Sequence, residues 1–128
     1  MTKITMLCIV LALAGCGDDN EEADLLGVGA ECNVANDECD LDNNQVCLTT
    51  FAGGYCGIAD CTGDIDCPEA SACIAHTDLT NYCFRTCADK AECNENRSVD
   101  FESNCSSNVT FVDGTLGRKA CVPPSSGT

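Results

Sequence analysis

Residues 61–83 read CTGDIDCPEASACIAHTDLTNYC. Cys61, Cys67, Cys73 and Cys83 stand with five, five and nine residues between them, Asp66 directly precedes the second cysteine and Tyr82 the fourth. The same arrangement fits twice more. Upstream, Cys32, Cys39, Cys47 and Cys56 have gaps of six, seven and eight, with Glu38 before the second and Tyr55 before the fourth. Downstream, Cys87, Cys93, Cys105 and Cys121 have gaps of five, eleven and fifteen, with Glu92 retained and Ala120 before the last. The chain is thus expected to hold three tandem four-cysteine modules, residues 32–56, 61–83 and 87–121.

Six aromatic residues and no tryptophan in 128 residues are too few to build a large apolar core unaided. Cross-links must compensate, each bridge contributing about 2–4 kcal/mol by restricting the unfolded chain. The fold class expected is small and disulfide-rich: a mostly irregular rod of three modules, each with a short β-hairpin and little helix. Metal binding is the other use of clustered cysteines, but zinc knuckles set ligands two to four residues apart in matched pairs. Cys83 and Cys87 come that close, but no CxxC occurs, which also removes a thioredoxin-like role.

Within each module the segment between third and fourth cysteines reads as a hairpin. Ala52, Gly53 and Gly54 form the first turn and 77–81 the second, while Asp113 and Gly114, between NVTFV and TLGRKAC, give the strongest turn signal. The segments between first and second cysteines are polar and turn-rich; 69–73 and 91–93 have room for one helical turn each. The acid before each second cysteine (Glu38, Asp66, Glu92) is read as a turn acid accepting backbone N–H groups. Tyr55 and Tyr82 are expected to pack against a bridge or over the next hairpin. Four cysteines allow three pairings. The expected one joins first to third and second to fourth, which ties the polar loop onto the hairpin: Cys32–Cys47, Cys39–Cys56, Cys61–Cys73, Cys67–Cys83, Cys87–Cys105 and Cys93–Cys121.

The N-terminus reads as an address. Met1 to Lys3 give a short positive start and Ile4 to Ala14 an apolar run broken only by Thr5, too short to span a bilayer permanently. Residues 1–15 are therefore a signal peptide. Leu13, Ala14, Gly15 and Cys16 resemble the bacterial lipobox, which implies cleavage before Cys16 and a diacylglyceryl thioether on its sulfur. Cysteine arithmetic agrees: of fourteen, Cys8 leaves with the signal and Cys16 is taken by lipid, so twelve remain for the modules. Residues 16–31 form the lipidated cysteine and an acidic tether, with an apolar run from Leu25 to Ala30 expected as a short strand, and 122–128 form a frayed tail. Gly17 follows the cysteine where the enteric sorting rule has aspartate for inner-membrane retention; by resemblance the chain is expected at the outer membrane.

From lipobox through acidic tether to modules, the chain resembles the cysteine-rich lipoproteins of myxobacterial-type deltaproteobacteria. Within Cys61 to Cys93, CTGDIDCPEASAC, NYC and CADKAEC are also similar to the N-terminal cysteine-rich module of Dickkopf proteins. The adjacent cysteine pair of that module is missing here, so neither its connectivity nor its receptor binding carries over.

Six basic against 21 acidic residues exclude nucleic acid, whose phosphates need clustered cations. A catalytic triad can be written from Ser71, His76 and Asp78, but no nucleophile-elbow motif surrounds it. The expected function is a membrane-anchored, non-catalytic display or protein-interaction scaffold of the cell envelope, with a protein or envelope partner and no cofactor. Two alternatives stand beside it. Asp40, Asp42 and Asn44 match the first three ligands of a calcium loop, although Gln45 and Phe51 occupy the places of its glycine and glutamate, and Asp64 and Asp66 form a second candidate; these would make a calcium-dependent adhesion module. A small secreted-type enzyme or inhibitor is the other. The expected partner contact lies in the third module, on Phe101, Phe111, Val112, Leu116, Arg118 and Lys119.

Overall fold

The structure, a computed structural model, describes residues 27–36, 39–115 and 117–125. The signal segment, Cys16, residues 17–26 of the acidic tether, residues 37–38 with Glu38, Leu116 and the last three residues lie outside the described residues.

It is a small disulfide-rich fold of short strands with a single four-residue helix among the described residues. Strands β1 (Val46–Cys47) and β2 (Cys56–Gly57) pair antiparallel with Cys47 opposite Cys56. Their turn requires glycine: Gly54 sits at φ 74°, and a Cβ there would collide with the Cys32 carbonyl oxygen and lie 2.8 Å from the sulfurs of Cys32 and Cys47. Strands β3 (Ser71–Ala75) and β4 (Asn81–Cys87) form the second hairpin in the register Ser71↔Arg85 to Ala75↔Asn81, closed by a turn in which His76 N–H donates to Thr80 O. Residues 69–73 therefore run into a strand; the isolatable helical turn is α1 (Lys90–Cys93), capped by the Asp89 carboxylate on the Glu92 N–H. Residues 27–30 form a turn instead of a strand, with Gly29 at φ 99°, docked on β2 by bonds between Gly29 N–H and Cys56 O and between Cys56 N–H and Ala30 O.

The third module departs most from expectation. Strands β5 (Asn104–Ser106), β6 (Thr110–Phe111) and β7 (Lys119–Val122) join β3 and β4 in one sheet of order β5-β7-β4-β3-β6. The segments flanking Asp113–Gly114 do not pair with each other. β6 adds to β3, with Ile74 opposite Phe111, and β7 adds to the far side of β4, with Thr86 opposite Ala120. The Asp113–Gly114 signal is spent on a tight turn closed from Gly114 N–H to Phe111 O, and Arg118 N–H closes another onto Thr115 O. Together these turns carry the chain across the end of the sheet.

A rod of separate modules is accordingly replaced by one body. Val28 ahead of the first module, Leu48, Phe51 and Tyr55 within it, Ala72, Ile74 and Tyr82 from the second, Phe84 just after it, and Phe111 and Ala120 from the third share a single apolar core. Phe51 sits at its centre, edge-on to Tyr55, His76, Tyr82 and Phe84 at 5.1–5.9 Å. With so few aromatics, three separate cores were beyond the chain's means, and pooling them removes more apolar surface from water. The C-terminal tail is likewise docked as far as Ser125: Ala52 N–H donates to Pro124 O, and Ser125 bridges to Phe51.

Six bridges hold this body, Cys32–Cys47, Cys39–Cys56, Cys61–Cys73, Cys67–Cys83, Cys87–Cys105 and Cys93–Cys121. Each module closes its first cysteine on its third and its second on its fourth. In every module three of the four sulfurs lie within 4.8 Å of one another, so the two bridges stack side by side.

Candidate functional site

Two of the three acids before the second cysteines, Asp66 and Glu92, do the work expected of turn acids; Glu38 lies outside the described residues. Asp66 accepts the N–H and hydroxyl of Thr62, both at 2.8 Å, and Glu92 accepts the Ala88 N–H. In each case the donor is the residue after the module's first cysteine. These bonds hold the Asp66 carboxyl below its ordinary pKa, the Thr62 N–H first among them.

Asp40, Asp64 and Asp66 are engaged elsewhere, and the calcium candidates do not converge. Asp40 caps the turn Leu41–Asn43 by accepting from the Asp42 N–H and Asn43 side chain, and Asn44 ends that turn in the left-handed region. Asp64 accepts the Cys73 N–H and pairs with Arg118 at 2.9 Å. Asn44 and Asp66 do line one shallow cleft of about 180 Å³ with Ile58 and Ile65. Yet no three carboxylates lie within 4.8 Å of one another among the described residues, where calcium wants six to eight oxygens.

Nor does the written triad assemble. Ser71 opens β3 and donates to Pro68 O, while His76 follows its other end, roughly 16 Å away at strand rise. His76 packs its ring against Phe51, Tyr82 and Phe84. Asp78 accepts the Tyr82 hydroxyl at 2.7 Å and the Thr80 N–H; burial pushes its carboxyl up, but these bonds outweigh it and hold the pKa low.

The expected contact surface is dispersed by the fold. Phe111 is core, 5% exposed, because β6 lays it against Ile74. Phe101 is half-buried and packs on Gly53, where a Cβ would come within 2.6 Å of its ring. Val112 and Lys119 are exposed. Arg118 lies 4.6 Å over the Phe111 ring and is fixed by Asp64 and the carbonyls of Thr115 and Gly114.

What the fold does bring together is charge. Arg85 from β4 and Arg118 and Lys119 at the start of β7 line one cleft of about 420 Å³ with Thr86, Cys87 and Glu92. Its size suits a small molecule. A second cleft of about 260 Å³ lies between the two sheet edges, lined by Ile74, His76, Asn104, Ser106, Val109 and Thr110.

One cation escaped sequence reasoning altogether. Arg97 is buried and donates to four carbonyls: Phe101 O at 2.7 Å, Gly54 O at 2.8 Å, Ala52 O at 3.0 Å and Gly29 O at 3.3 Å. Its guanidinium also sits 5.6 Å from the Tyr55 ring centroid. Burial pulls its pKa down. Arg97 is a structural clamp that locks the third module onto the glycine turn of the first, and nothing in its immediate sequence, NENRSVD, announces that.

No protein-family model matches the chain, and neither a curated protein nor a solved structure does.

Proposed function

We propose that the chain is a lipid-anchored, non-catalytic binding protein of the bacterial cell envelope, held by Cys16 and presenting its disulfide-bonded body at the end of the acidic tether. The observation that carries the reading is the use of sulfur. All twelve cysteines from Cys32 to Cys121 are consumed in bridges within their own modules. Cys8 and Cys16 are left, one inside the signal segment and the other at the lipobox position. A body cross-linked in this way belongs in an oxidising compartment. Gly17 in place of aspartate supports the outer membrane as its address.

The test is Cys16→Ser in the full-length chain. The variant is expected to leave the membrane fraction and to lose incorporated palmitate label. Retention of both membrane and label overturns the reading.

A further inference from the structure

The five-stranded sheet is rolled. Its two edges, β5 and β6, are consecutive in the chain and joined only by residues 107–109. In a flat sheet they would lie four strand spacings apart, about 19 Å. The residue steps from Ser106 to Thr110 reach only about 14 Å at full extension. The edges therefore curl toward each other, and the second cleft, of about 260 Å³, opens between them, lined from β3, β5, β6 and β7 and from the connection itself. The mouth of a partly closed barrel is a common place for a small ligand.

The walls are held by the fold. Ile74 stands opposite both Tyr82 and Phe111, and Val122 opposite Asn104. The His76 ring on the same wall is packed against Phe51, Tyr82 and Phe84.

The lining narrows the class of ligand. In a chain that is 21% charged, no Asp, Glu, Lys or Arg lines this cleft, so a charged ligand would give up water without gaining an ion pair. Ile74, Val109 and Val122 supply branched apolar side chains. Beside them stand the amides of Asn104 and Asn108 and the hydroxyls of Thr77 and Thr110. None of these four side chains has a hydrogen-bond partner among the described residues. Each asparagine offers both a donor and an acceptor, so the two together complement a secondary amide, one accepting its N–H and the other donating to its C=O. We propose that this cleft binds a neutral acetamido sugar, with its methyl against Ile74, Val109 and Val122, its amide between Asn104 and Asn108 and its hydroxyls toward Thr77 and Thr110. The volume suits one sugar ring, being below the range of about 300–1,000 Å³ of drug-sized sites. The proposal rests on the binding-protein reading, for which it names a ligand, but not on the lipid anchor.

The experiment is calorimetric titration of the full-length, disulfide-bonded protein with N-acetylglucosamine, glucose, glucosamine and N-acetylalanine methylamide. The three controls lack the amide, replace it by a cation, or lack the hydroxyls. N-acetylglucosamine is expected to bind about tenfold tighter than any of them. Asn108→Ala should weaken it about tenfold, and Asn33→Ala, which removes an exposed amide outside the cleft, should leave it unchanged. Equal binding of any control, no heat with N-acetylglucosamine at about 10 mM, or equal losses in the two variants would each overturn the proposal. Thermal unfolding of both variants checks that they fold. Loss of anchoring in Cys16→Ser is scored separately, so failure of the address and failure of the cleft are distinguishable.

Discussion

The hydroxyl of Tyr55 donates a 3.0 Å hydrogen bond to the carbonyl of Cys121, 66 residues further along the chain. The same oxygen accepts the Arg85 N–H at 3.1 Å. One buried atom of the first module thereby satisfies backbone groups of β4 and of the third module. Burial also raises the phenol's pKa far above its ordinary value, so it stays a donor throughout the range in which the protein is handled. Tyr55→Phe should cost about 1–3 kcal/mol, because it leaves a buried donor and acceptor without a partner. Urea unfolding with the bridges intact measures it, and an unchanged midpoint would refute the role.

Arg97→Met should be more damaging. It preserves much of the side chain's apolar bulk but abandons four carbonyls, at an expected cost of about 3 kcal/mol or more. Hydrogen exchange should report where the loss falls: faster exchange of the amides that this clamp keeps buried around Gly54, with β3 and β4 least affected. Uniform acceleration across the chain would contradict a local clamp.

Gly54→Ala should fail at the level of oxidative folding. Besides its unfavourable φ of 74°, the new methyl would occupy space already filled by the Cys32 carbonyl and two sulfurs. Peptide mapping without reduction is expected to find scrambled or incomplete bridges in the first module. A native bridge pattern with wild-type yield would falsify the steric reading.

Stability should fall in acid through Asp66 and Asp78. Both carboxyls are held below their ordinary pKa, so each contributes stability that is fully present above the unfolded value of about 3.9. That contribution is lost as pH drops through the lower folded value. Tm should therefore decline from about pH 5 downward, and Asp66→Asn should decline less steeply. Identical pH profiles would count against the turn-acid role.

One shared core predicts one transition. With all bridges closed, calorimetric and spectroscopic unfolding curves should coincide. A separate low-temperature transition of the first module would return the molecule to a string of modules.

Much of this fold is local and was therefore legible. Cysteine spacing marked three sets of four, tying each polar loop onto its hairpin selected the interleaved pairing, glycine placed the first turn, and the acid at position 66 or 92 bonds only four residues back. What sequence concealed is non-local. Asp113–Gly114 makes a turn wherever it sits, but its spacing says nothing of whether the flanking strands meet each other or meet β3 and β4. Phe111 reads as an exposed anchor until β6 is seen beside β3. The cleft was half visible: Arg118 and Lys119 are adjacent in sequence, whereas Arg85 joins them only through the β4–β7 pairing, which no local signal encodes.

The docking of Ser125 on Phe51 has a consequence in time. A chain made from its N-terminus releases Cys32 and Cys47 early, and a loop of 15 residues can close as soon as both are out. The strand that covers β4, the carbonyl that receives the Tyr55 hydroxyl and the segment that pairs with Phe51 all come from residues 119–125, made after the first two modules. Until β7 arrives, the cross-linked first two modules lack the cover that it gives to Tyr55 and Phe84. A premature stop just before Cys121 would thus leave two cross-linked modules with an open core, a ready substrate for proteases.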